Sequence, residues 1–149
     1  MSFLGRNKFT FIVGVIVFIL EGSLKIRTEH LIELMSAVLT LAATLTAIFI
    51  GFISIIVSLG ADRVFSKLDL DLIYLEKLLI GTILYLLVSF ESIVCFFINA
   101  KSANQLFWFM NIWSTTMAMA FSITLSLLFG LLTFLHGKWQ RRKNEDDIY

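Results

Sequence analysis

The chain has 149 residues, 58% of them hydrophobic and 15% charged, with a mean hydropathy of +0.90 and a formal net charge of +1 at pH 7. That composition lies outside the range of soluble domains, and a near-neutral charge with its basic residues dispersed over loops excludes a nucleic-acid-binding surface. No proline, and no run rich in glycine or serine, divides the sequence, so it reads as one all-α integral membrane domain over residues 1–149, a four-helix bundle.

Four apolar stretches, residues 9–24, 31–59, 78–100 and 106–136, are measured against the ~20 residues that cross a bilayer. The first follows Arg6 and Lys8 and runs apolar from Phe9 to Leu20, which is also how a secretory signal begins. Leu20, Glu21, Gly22 and Ser23 make a poor cleavage pattern, so a retained helix is expected, short for a span.

In the second stretch Glu33, Ser36, Thr40, Ala43, Thr44, Ala47, Gly51, Ser54 and Ser58 fall in one sector at ~100° per residue, away from Phe49, Phe52, Ile55 and Ile56. Small residues let helix backbones approach and hydroxyls bond across, so this face is expected to pack, or to line a hydrated path in an oligomer. The connector "GADRVFSKLDLDLIYLEK", residues 60–77, mixes charges with apolar residues. It reads as an interfacial segment in which Arg63 and Lys67 meet lipid phosphates, or as a docking surface for a cytosolic protein.

The third stretch contains "VSFESIVCFF", residues 88–97, with Glu91 inside the apolar run. Gly81, Tyr85, Ser92, Cys95 and Asn99 share a face, Ser89 and Glu91 stand on its shoulders, and Phe90, Val94 and Phe97 cover the back. At 1.5 Å per residue Glu91 lies ~20 Å from Leu78 and ~13 Å from Ala100. An ionised carboxylate there costs at least ~2.5 kcal/mol, so it is protonated, paired or wetted by a cavity. The hydroxyls and Asn111 are its available partners, and no lysine or arginine is expected at that depth. Glu91 is therefore a candidate proton or cation site, against the plainer reading of a neutral residue that holds helices in register.

The fourth stretch carries Asn111, Thr115, Ala118, Met119, Ser122, Ser126 and Thr133 on one side and ends near His136. Its stripe and that of the second stretch suggest helices that pack on each other or on those of neighbouring protomers. Trp108 and Trp113 at one boundary and Trp139 at the other fit aromatic belts, and Glu21 and Glu33 are expected at the outer interface. The tail "HGKWQRRKNEDDIY" holds Arg141, Arg142 and Lys143, a topology anchor and candidate lipid or partner surface, before an acidic end expected to be solvated and disordered.

Basic residues distribute nine (Arg6, Lys8, Arg63, Lys67, Lys77, Lys138, Arg141, Arg142, Lys143) against three (Lys25, Arg27, Lys101), which predicts cytoplasmic termini. The single cysteine cannot form an internal disulfide, and His30 and His136 fall at opposite faces in this topology. No metal spacing, phosphate loop or paired-carboxylate motif is legible, so neither an enzyme nor a cofactor is expected.

"TLTAIFI", residues 44–50, within a small-residue span, and "SFES", residues 89–92, ahead of apolar sequence with a lone cysteine, give a layout similar to the small four-helix membrane components of bacterial anti-phage defence, of the RexB and Kiwa membrane-subunit kind. The resemblance implies an oligomeric protein of the bacterial inner membrane that perturbs the membrane, or senses its perturbation, with a cytosolic partner. It transfers no functional residue. Small multidrug exporters share the size and a membrane glutamate, but theirs lies in the first span. Phage holins share short spans and a charged tail. The function expected is a non-enzymatic sensor or effector, with ion conduction as one form of the effector, and with a small proton-coupled transporter using Glu91, a holin-like pore and a membrane anchor as the alternatives.

Overall fold

The computed structural model describes residues 7–24, 30–60, 70–97 and 103–146, all but Asn7 and His30 of them helical: α1 (Lys8–Leu24), α2 (Leu31–Gly60), α3 (Leu70–Phe97) and α4 (Ala103–Asp146). Three contain segments long and apolar enough to cross a membrane, Leu31–Ser58, Ile73–Phe97 and Gln105–Thr133. The 17 residues of α1 reach about 26 Å, short of a ~30 Å hydrocarbon core.

Two boundaries differ from the sequence reading. The third helix starts at Leu70, so the last eight residues of the connector continue into it, while 61–69, with Arg63 and Lys67, lie outside the described residues. The fourth runs to Asp146, so the tail through Arg141, Arg142, Lys143 and most of its acidic end is helical, not disordered. At 44 residues α4 is about 66 Å long, roughly twice the hydrocarbon thickness. Nothing in this stretch breaks a helix: it has one internal glycine before the tail, no proline, and Gln, Arg, Lys and Glu where the apolar run stops.

The helices pack as successive pairs, α2 on α3, α3 on α4 and α4 on α1, each pair antiparallel. Among the described residues the backbones of α1 and α2, and of α2 and α4, do not come together. The two helices with sequence stripes are thus separated by α3, and the pairing of the second and fourth stretches expected within one chain is not made.

The core sits along α3. Met35, Val38, Ala42 and Phe49 of α2 meet Leu78, Tyr85 and Val88, and Trp113 and Ala120 of α4 close the other side. Gly81 makes the tightest passage. A β-carbon there would clash with the edge of the Phe49 ring and stand 3.3 Å from Ile123, so glycine lets side chains of α2 and α4 close on α3 at this level. Phe49 then stands edge-on to Tyr85, ring centroids 5.7 Å apart. Outward, the molecule is apolar: Phe9, Ile32, Phe90 and Phe129 are each more than half exposed, a surface that water does not favour.

Candidate functional site

Polar side chains line the seams that α4 makes with α3 and with α1. On the α3 side, the Thr116 hydroxyl is shared between the Ile112 carbonyl of its own helix at 3.0 Å and Glu91 Oε1 at 3.3 Å, and Trp113 Nε1 donates to Ser92 Oγ at 2.9 Å. Ser92 Oγ in turn donates to the Val88 carbonyl at 2.8 Å, which leaves its lone pairs for the indole. Further along the same seam Tyr85 and Thr124 share a 2.7 Å hydrogen bond, and Lys77 Nζ donates to Ser126 Oγ at 2.7 Å.

Lys77 therefore does more than count toward topology. It lies within the Ile73–Phe97 segment, half-buried, with its ammonium turned onto α4. Beside it Glu76 accepts from Asn7 Nδ2 at 3.1 Å, which ties the start of α1 to α3.

Glu91 is half-buried, six residues from the end of α3, about 9 Å below it. One carboxylate oxygen takes the Thr116 hydrogen bond, and the other is buried without a partner. An acceptor left bare in an apolar setting costs about 1–3 kcal/mol, so this oxygen marks a place where a proton, a cation or water would be favourable.

On the opposite side of α4 stands a second carboxylate. Ser114, two residues and about 200° around the helix from Thr116, donates to Glu21 of α1. Asn111, one turn away, is buried, and its Oδ1 also lacks a partner. Glu21 belongs to this seam and not to the outer interface alone. Its signal was in the sequence: Asn7, Thr10, Gly14, Val17 and Glu21 recur at helical spacing, and this is the face α1 turns inward. Gly14 admits the Met119 side chain, whose Cγ and Sδ would lie 2.8 Å from any β-carbon there.

The remaining sequence-selected residues divide. Thr115 bonds the Asn111 carbonyl at 2.7 Å and Ser122 the Met119 carbonyl at 2.8 Å, both turned into packed parts of α4. Ser36, Thr40, Thr44, Ala47, Gly51 and Ser54 of α2 are exposed, on the side away from α3. Three of their hydroxyls are satisfied within the helix: Thr40 bonds the Ser36 carbonyl at 3.0 Å, Thr44 that of Thr40 at 2.8 Å, and Ser54 that of Ile50 at 2.9 Å. Glu33, at the exposed start of α2, lies 3.5 Å from His30 Nδ1. Asn99 lies outside the described residues, and of Arg141, Arg142 and Lys143 only the helical backbone is described.

The arrangement sets two carboxylates against opposite sides of α4 at similar levels, Glu91 from α3 and Glu21 from α1. Compared with models of protein families, with curated proteins and with solved structures, the chain matches none.

Proposed function

We propose that this is an integral membrane protein with cytoplasmic termini that assembles with copies of itself and acts as a sensor or effector of the membrane. The observation that carries the reading is the outward face of α2. Ser36, Thr40, Thr44, Ala47, Gly51 and Ser54 form a strip along a membrane-length helix that no other helix among the described residues covers. In lipid such a strip gains little from hydrocarbon, whereas a second helix can approach it closely. The resemblance to anti-phage membrane components adds a defence-type setting in a bacterial inner membrane and a cytosolic protein partner to the proposal.

The test is disulfide crosslinking in membranes of chains carrying Ala47→Cys in a Cys95→Ser background, with membrane potential followed by a voltage-sensitive dye during phage challenge. Crosslinked dimers together with challenge-dependent depolarisation support the reading. A chain that stays monomeric at this position and leaves the potential unchanged would overturn it.

A second reading rests on the unpartnered Glu91 oxygen: a small proton-coupled transporter in which this carboxylate alternates between a proton and a cationic substrate. In proteoliposomes with an imposed pH gradient, Glu91→Gln would abolish substrate-driven proton release. Full transport by that variant would exclude the mechanism.

A further inference from the structure

The seam between α1 and α4 holds a group of oxygens that neither helix packing nor the reading of Glu91 uses. Glu21 presents its carboxylate to Ser114, which is also one turn from Asn111. Asn111 is only 2% exposed, and its Oδ1 has no hydrogen-bond partner among the described residues. The backbone of Gly22 lies against this amide, where a β-carbon would stand 3.7 Å from Nδ2, so the amide sits in the seam beside Glu21. A buried amide oxygen without a donor is costly, and the seam that this amide shares also holds the Glu21 carboxylate and the Ser114 hydroxyl.

We propose that Glu21, Ser114 and Asn111 form a binding site for one small alkali cation, of the sodium class, between α1 and α4. The donor set is all oxygen, which suits a hard cation. Its single negative charge balances a monovalent ion, whereas a divalent ion would leave an uncompensated charge in an apolar seam. The Ser114 hydroxyl that now donates to Glu21 has a second acceptor in the Asn111 carbonyl, 3.4 Å away, so its hydrogen can turn there and free its lone pairs for the ion.

Access is short as well. Glu21 lies three residues from the end of α1, about 5 Å, and Ser23 beyond it is exposed. Phe18 and Trp108, ring centroids 6.4 Å apart, stand one turn from Glu21 and one turn from Asn111, so occupancy has an optical reporter.

The experiment is thermal unfolding of the full chain in detergent, followed by tryptophan fluorescence. Sodium chloride is titrated against choline chloride at constant ionic strength. The expected result is a saturable rise of Tm with sodium that is absent from Glu21→Gln and Asn111→Leu and retained by Glu91→Gln. Ser114→Ala, the mildest of the changes, keeps the site readable if the others do not fold, and should raise the sodium concentration at half-effect by about tenfold. No sodium response in the wild type, an equal response to choline, or an unshifted midpoint in Ser114→Ala would overturn the proposal. The self-association read from α2 is independent of this outcome.

Discussion

Gly51 and Gly81 show how much a single hydrogen atom decides in this chain. A β-carbon at 81 collides with Phe49, whereas at 51 nothing lies within 4 Å. Gly81→Ala should therefore destabilise the fold by about 1–3 kcal/mol through overpacking, measured as a lowered Tm in detergent. Thr116→Val removes the one hydrogen bond to Glu91 and leaves both carboxylate oxygens without a side-chain donor. It should cost about 1 kcal/mol or more, and Thr116→Val combined with Glu91→Gln should cost less than the two changes added, because they share one interaction. Glu91 was legible in the sequence because a carboxylate inside an apolar run is costly wherever it points. Glu21 was not singled out because, three residues from the apparent end of a short span, it had an inexpensive alternative in the interface; the helical spacing of Asn7, Thr10, Gly14 and Val17 before it was the signal, and its partner on α4, far away in sequence, fixes it in the seam.

At the level of helices, the sequence shows the number of apolar segments and the polar side of α3, but not which side of α2 meets protein. Lipid is as apolar as a protein core, so Met35, Val38, Ala42 and Phe49 could have faced either, and hydropathy alone does not choose between them. The structure packs that larger side against α3 and leaves the small one free, the reverse of the expectation for a single chain. Gly51→Leu should consequently leave the unfolding midpoint of the monomer within about 0.5 kcal/mol of wild type while reducing crosslinking at position 47. A loss of stability equal to that of Gly81→Ala would mean that α2 is buried on both sides in the folded unit. The helix starts were less legible than the spans: Glu76 and Lys77 look like the end of a loop until Asn7 and Ser126 are seen to receive them.

Across the whole molecule, antiparallel pairing of α2 with α3, α3 with α4 and α4 with α1 puts the start of α1 and the end of α4 at one end. Reporter fusions to residue 1 and residue 149 should accordingly report the same side of the membrane, and the charge count predicts the cytoplasmic side. Fusions that disagree would show that α1, the one helix shorter than the hydrocarbon thickness, does not cross. The pairing also sets a timetable for biosynthesis. α1 leaves the ribosome before the other three helices, yet the helix it docks on begins about 80 residues later, a wait of about 4–16 s at ordinary elongation rates. Throughout that interval its inward face, with Gly14 and Glu21, lacks the helix it packs on. The nascent segment is then poorly anchored, open to extraction or to capture by an insertion chaperone, and slower synthesis before residue 103 should lower the yield of correctly inserted protein.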